Sequence, residues 1–343
     1  MSRTVAAGHH LLRLLALGMV LLVLAGVFVT QHATRLARQS LQLSEPQVLQ
    51  VAKGSHARRV LADLQQRGWI AGHPLTNYLV HLNPAWTRIQ AGSYRVYPTD
   101  TLSSLWQRLM AGETAQVSLT FIEGMRVADL LRLIRSQSEL EQLLPADINE
   151  RDLGQYLQPK VDNAEGWLMP DTYKVDLGSS DLTLLQRAYD AMRRNLDEAW
   201  AARQPGLPYA SPYQALIMAS IIEKESGHAP ERPLIASVFV NRLRIGMRLQ
   251  TDPTVIYGVG DSYQGNITRE HLRTPTPYNT YTIDGLPPTP IAIPSRAALD
   301  AALKPAASDY LYFVSRGNGE HQFSRTLDEH NAAVRRYILG IAP

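Results

Sequence analysis

The chain has 343 residues, 45% hydrophobic and 19% charged, which is enough apolar material for a large core and rules out a disordered polyelectrolyte. A formal net charge of +3, with no basic–aromatic stripe, argues against nucleic acid as a partner. Cysteine is absent, which excludes disulfides, thiol nucleophiles and thiolate metal sites.

The first element is apolar. No charged residue falls between Leu14 and Val29, and the run from Leu11 to Thr30 is broken only by Arg13. A bilayer core takes about 20 such residues as a helix. The expected order is a short cytoplasmic N-terminus over residues 1–10, a transmembrane anchor over 11–31 and a polar linker over 32–46. A cleaved signal peptide competes, but no small-x-small cleavage site follows the apolar run. Arg3 and Arg13 before the span are balanced by Arg35 and Arg38 after it, so charge alone leaves the orientation open. The short head puts the bulk of the chain on the far side.

Three strand–turn–helix units come next. "QVLQVAKGS" reads as a strand and turn and "ARRVLADLQQRGW" as an amphipathic helix closed at Gly68. "SYRVYPTDT" leads into "LSSLWQRLMAG", and "VSLTFIEGM" into "RVADLLRLIRS". The middle unit, Tyr94 to Leu109, resembles the LysM carbohydrate-binding module in its strand–turn–"DTL"–helix pattern, so residues 47–135 are expected to form a LysM-like βα module.

Residues 136–343 read as a mixed α+β domain. A polar, acidic helical region is expected between Arg135 and Leu157, followed by an irregular "EGWLMPDTYKV". The segment "LTLLQRAYDAMRRNLDEAWAARQPG" reads as a long helix stopped at Pro205 and Gly206, and "RPLIASVFVNRLRIGM" as another ending at Gly246. The proline-dense stretches "LQTDPTVIYGVG" and "TPTPYNTYTIDGLPPTPIAIPS" read as rigid loop suited to a binding surface. "YLYFVSRGNGEHQFSRT" reads as a C-terminal β-hairpin turning at Gly317-Asn318-Gly319.

Chemistry concentrates at "ALIMASIIEKESG", where an apolar helix ends in Glu223 and Glu225. At about 100° per residue the two side chains point about 200° apart, so a regular helix cannot aim both into one pocket. Ala219 and Ser220 share a face with Glu223 and leave room for an approaching group, whereas Ile221, Ile222 and Met218 pack beside Glu225. A glutamate among apolar neighbours has its pKa raised, as a general acid near neutral pH requires. Both could equally mark a solvated helix end. Asp252 and Asp171 are possible second carboxylates, or turn residues. Tyr257, Tyr278 and Tyr281, with Asn241, Gln250 and Asn279, combine aromatic faces with amides in a manner suited to a sugar ring. His321 and His330 read as surface or hairpin residues. Ser220 and Ser226 lack a base at a recognisable offset. No HExxH, GxSxG, P-loop or GxGxxG motif occurs.

"ASIIEKES", "ASVFVNRLRIGMRLQTDPTVIYG", "TPYNTYTIDGLPPTPIAIPS" and "YLYFV", with "EGWLMPDTY", "AGSYRVYP" and "IEGM" upstream in the same order, closely resemble the endolytic murein transglycosylases of the YceG-like family, its proteobacterial members in particular. The resemblance implies a single-pass protein of the inner membrane whose catalytic part, residues 136–343, works in the periplasm. It implies cleavage of the β-1,4 bond between N-acetylmuramic acid and N-acetylglucosamine inside peptidoglycan glycan strands, leaving 1,6-anhydromuramoyl ends beside a peptidoglycan synthase (a penicillin-binding protein). Carried onto this chain, it implies Glu223 as the catalytic acid, with Glu225, Asn241, Gln250, Asp252, Tyr257, Asn279 and Tyr281 positioning the substrate, and neither cofactor nor metal. The rival expectations are a hydrolase using Asp252 as second carboxylate and a non-catalytic scaffold.

Overall fold

The computed structural model describes residues 2–76, 78–225 and 227–341, with side chains from Leu15 onward. It has mixed helix and sheet and divides into two compact units. The first runs to Val117 and includes Val175–Gly178; the second comprises Ser118–Lys174 and the chain from Ser179 onward. The sequence reading divides the chain after residue 135 instead. The third strand–helix unit falls mostly in the second unit, and its helix buries Val127, Leu130, Leu131 and Ile134.

In the first unit, helix α1 (Ser2–Arg38) runs without a break through the apolar stretch. Its segment from Leu15 to Arg38 is long and apolar enough to cross a membrane. Strand β1 (Gln47–Val51), helices α2 (Ala57–Gln66) and α3 (Leu79–Leu82), strand β2 (Gly92–Val96) and helix α4 (Leu102–Ala111) follow. β1 and β2 pair antiparallel with Leu49 opposite Tyr94. Thr101 caps α4 through a reciprocal box with Ser104, and Gly112 ends it in the left-handed conformation at φ 69°. The core gathers Leu49, Leu61, Leu64, Tyr94, Leu105 and Trp106, and the Trp106 indole N–H donates to the Trp86 carbonyl at 3.1 Å. Ala33 and Ala37, at the end of α1, belong to this core.

The division between units falls within strands β3 (Gln116–Phe121) and β4 (Asp171–Asp176), which pair with one another. The second unit adds helices α5 (Val127–Arg135), α6 (Glu150–Tyr156), α7 (Asp181–Ala201), α8 (Pro212–Glu225), α9 (Arg232–Arg244), α10 (Asp252–Val259), α11 (Arg269–Arg273), α12 (Arg296–Leu303) and α13 (Leu327–Tyr337). Between α12 and α13, strands β5 (Tyr312–Ser315) and β6 (His321–Ser324) pair antiparallel with Phe313 opposite Phe323. α8 is apolar on every side, and such a helix must be surrounded. All its residues from Ala215 to Glu223 are buried, against α7, α9, α10 and α12.

Three local expectations are corrected. Residues 136–149 contain no helix, because that stretch lacks apolar periodicity, and only Glu150–Tyr156 forms α6, capped by Asn149. The end of "EGWLMPDTYKV" is strand β4 rather than irregular chain, with Tyr173 and Val175 buried on one face. "DPTVIYGV" is helix α10 rather than loop, since Pro253 occupies its first turn, where a missing N–H costs nothing.

Candidate active site

The C-terminal turn of α8 meets two different environments. Glu223 Oε1 accepts from Arg232 Nη2 at 2.7 Å, and Oε2 accepts from the Ser295 backbone N–H at 2.8 Å and from the Ser295 hydroxyl. Arg232 Nη1 also donates to Ser295 Oγ at 3.1 Å. The ion pair is almost sealed, the two side chains being 10% and 3% exposed.

The small residues beside Glu223 do admit an approaching group, but that group is the protein itself. Segment 290–295 lies against this face: the Ile291 N–H donates to Ser220 Oγ at 3.0 Å, and Ile293 exchanges backbone bonds of 2.9 Å with Gly124 and Met125. Gly166 admits the same segment. At φ 79° it has no side chain, and a Cβ there would lie 2.4 Å from the Pro290 Cβ. The expected opening at Glu223 is therefore corrected to a packed structural joint.

Glu225, on the other side of the helix, is partly exposed. The Thr251 hydroxyl donates to its Oε1. Burial pushes this carboxyl up to about 7; the Thr251 bond pulls it back, the charge of Asp252 raises it, and His321 and Arg242 lower it. Asp252 is exposed at the start of α10 and accepts from the Tyr281 hydroxyl at 2.6 Å. Burial also raises the Tyr281 phenol, and its bond to Asp252 adds to this. Gln250, exposed, adopts φ 49° immediately before Thr251, a conformation rare outside glycine.

The other predicted residues do different work. Asn241 Nδ2 donates to the carbonyls of Ser308 and Tyr310 at 2.9 and 3.0 Å, fastening α9 to the chain before β5. Asn279, 1% exposed, donates to the carbonyls of His271, Leu272 and Thr274 and ties its own loop together. Tyr257 donates to Glu165 Oε2 at 3.2 Å and packs its ring 4.8 Å from that of Tyr278. Asp171 is exposed at the start of β4, where it accepts from the Thr172 N–H. His321 pairs with Glu231 at 2.8 Å through Nδ1, whereas the ring of His330 stacks on Tyr312. Ser226 lies outside the described residues.

Sequence reasoning missed four participants. Thr251 and Ser295 carry no local signal, because their partners lie 26 and 72 residues away, and Arg232, nine residues from Glu223, belongs to the next helix and not to α8. Glu165 opens "EGWLMPDTY", and the glycine beside it hinted at a close approach. It is 2% exposed, with Oε1 accepting from the Val127 N–H at 3.1 Å; burial pushes it up to about 8, the Val127 and Tyr257 bonds and Arg126 pull it down, and Glu150 adds to the rise.

The family model for the YceG-like family matches residues 49–336. The chain belongs to the YceG-like family. A curated relative within reach of this family, the endolytic murein transglycosylase of Bacillus subtilis (strain 168), is 30% identical over 306 residues, which cover 84% of this chain and 84% of that protein. The endolytic murein transglycosylase of Streptococcus pneumoniae serotype 2 (strain D39) is 25% identical over 321 residues, covering 84% of this chain and 58% of the relative. Among solved structures, a YceG-like protein of Listeria monocytogenes matches with a TM-score of 0.53 and 28% identity, over 84% of this chain and 99% of the other. These relatives come from Bacillus, Streptococcus and Listeria, and they bear on the family rather than on the proteobacterial membership expected from the motifs.

Proposed function

We propose that the chain is an endolytic murein transglycosylase and that Glu225, not Glu223, is its acid. The observation that carries the residue assignment is the contrast between the two carboxyls. Glu223 has both oxygens committed to Arg232 and Ser295. Among the described residues the hydrogen-bond donor to Glu225 is the Thr251 hydroxyl, on Oε1, and the carboxyl is pushed up to about 7 by burial, with Thr251, Asp252, His321 and Arg242 modulating that rise. A carboxyl poised near neutral pH is protonated in a useful fraction and still able to act as a base.

In this reading Glu225 protonates the oxygen of the β-1,4 bond between N-acetylmuramic acid and N-acetylglucosamine as the C1–O bond breaks. The resulting carboxylate takes the proton of the muramic C6 hydroxyl, whose oxygen bonds to C1 of the same sugar. The product is a 1,6-anhydro end, no water is consumed and Glu225 regains its proton. A glycosidase that uses water or a covalent intermediate draws on two carboxylates; here the nucleophile belongs to the substrate and gains from proximity. Gln250, Asp252 and Tyr281 are the substrate-facing residues next to the acid. Asn241, Asn279 and Tyr257 act by holding the elements that carry them.

α1 serves as a retained anchor. A cleavage site needs accessible, extended chain, whereas α1 stays helical through Arg38 and buries Ala33 and Ala37. With the anchor in the inner membrane and the rest in the periplasm, cleavage takes place next to nascent strands and the synthases that make them. The first unit, with its LysM-like strand–helix units, bears on the same glycan.

Digestion of isolated sacculi tests the reading. Product ends one water lighter than free reducing ends are expected by mass spectrometry, and Glu225→Gln should lower the rate about 10²-fold or more. Reducing-end products would sink the reaction assigned; a fully active Glu225→Gln would sink the residue.

A further inference from the structure

Three threonines behind Glu225 form a buried hydrogen-bonded cluster, in which the Thr254 and Thr280 hydroxyls hold the backbone of Thr251. Thr251, Thr254 and Thr280 are 2%, 0% and 0% exposed. Thr280 Oγ1 accepts the Thr251 N–H at 3.0 Å and lies 3.4 Å from the Thr251 carbonyl oxygen. Thr254 Oγ1 donates to that same carbonyl at 2.7 Å and lies 2.8 Å from Thr280 Oγ1. The preceding N–H, of Gln250, donates to the Thr280 carbonyl at 3.1 Å. The backbone donor and acceptor of Thr251 are thus both used, from two sides, and its orientation is set. What remains is its hydroxyl, with one proton to give, and that proton goes to Glu225 Oε1.

We propose that Thr251, held by Thr254 and Thr280, is a positioning residue that reserves Oε1 of Glu225 as an acceptor and so directs the transferable proton to Oε2. The inference rests on Glu225 being the acid. Thr251 itself exchanges no proton with the substrate: its own proton stays on Oγ1 throughout, while the proton on Oε2 leaves for the glycosidic oxygen and is replaced from the C6 hydroxyl. A donated hydrogen bond favours the carboxylate over the acid, so Thr251 also limits how far burial raises Glu225. Among the described residues, the charged and titratable groups that act on Glu225 are Asp252 at the start of α10, Arg242 on α9, His321 on β6 and Tyr281 beyond Asn279. A change at Thr251 leaves all four in place.

The test is the pH profile of kcat/KM for anhydro-ended products, with the full-length protein in detergent acting on isolated sacculi. In Thr251→Val the loss of rate on the alkaline side should move up by about one to two pH units, the amount a charge-assisted hydrogen bond is worth. KM should stay unchanged, the rate on the acid side should fall several-fold as the proton loses its preferred oxygen, and Thr251→Ser should restore the profile. An unmoved alkaline limb, or a serine variant that fails to restore it, overturns the inference. Should Thr251→Val melt below the assay temperature, Thr280→Val removes the anchor without touching Glu225. The limb should then move the same way by less, and an unmoved limb again overturns the inference. Glu225→Gln separates the two claims. If it is inactive while Thr251→Val is unshifted, only the role of Thr251 falls; if it is active, the acid assignment falls and takes Thr251 with it.

Discussion

A rotation of about 200° separates Glu223 from Glu225 on α8, and each carboxyl meets a different wall. Glu223 faces Arg232 and the Ser295 turn in a site only 3% open at its side chain. Breaking one partner of such a buried pair leaves the other charge stranded. Glu223→Gln should therefore lower unfolding stability by about 3 kcal/mol, measured by urea denaturation, while the alkaline limb of activity stays where it was. Glu165 supplies a second residue-scale prediction. Its folded-state carboxyl is pushed up to about 8 by burial, despite the Val127 and Tyr257 bonds, from an ordinary value of 4.5. Between these values the folded chain holds a proton that the unfolded chain has released, so stability falls as pH rises from about 4.5 to about 8. Glu165→Gln, which cannot ionise, should flatten that fall; thermal melts at pH 5 and pH 8 measure it.

At the scale of elements, segment 290–295 organises the neighbourhood of α8. It is bonded to Ser220, Glu223, Gly124 and Met125, and its last residue, Ser295, caps α12 by accepting from the Ala298 N–H at 3.2 Å. One serine thus serves as helix cap and as half of the Glu223 clamp. Ser295→Ala should cost about 1–2 kcal/mol, the upper part of the range for a lost cap, and a larger loss by chemical denaturation would mean that Arg232 and Glu223 separate as well. The prolines around this segment were legible in the sequence as a rigid stretch. That it closes over Glu223 was not, because Ser220, Glu223 and Ile291 are brought together across about 70 residues of chain.

At the scale of the whole molecule, the apolar helix α1 and the first unit are continuous. Ala33 is 0% exposed and Ala37 7% exposed, so the end of α1 is part of the unit's core as well as the continuation of an apolar span. A chain shortened to begin at Gln31 should melt higher than one beginning at Gln39, by scanning calorimetry, because the shorter form loses both alanines and the turns that carry them. Equal melting temperatures would mean the last turns of α1 add nothing to that core.

The sequence by itself determined the composition class, the N-terminal apolar helix, the three strand–helix units, the long helices α7 to α9, the membership in a wall-cleaving family and the opposed directions of the two glutamates. All of these follow from local periodicity, turn chemistry and motif order, which neighbouring residues encode. Tertiary structure alone decided which glutamate is locked between Arg232 and Ser295 and which meets the Thr251 hydroxyl. Small residues beside a carboxylate look the same in sequence whether a substrate or a distant strand of the same chain fills the space. The partners that settle it are Arg232 and Ser295 for Glu223, and Thr251 for Glu225. They come from separate segments of the chain, and only packing brings them to the end of α8.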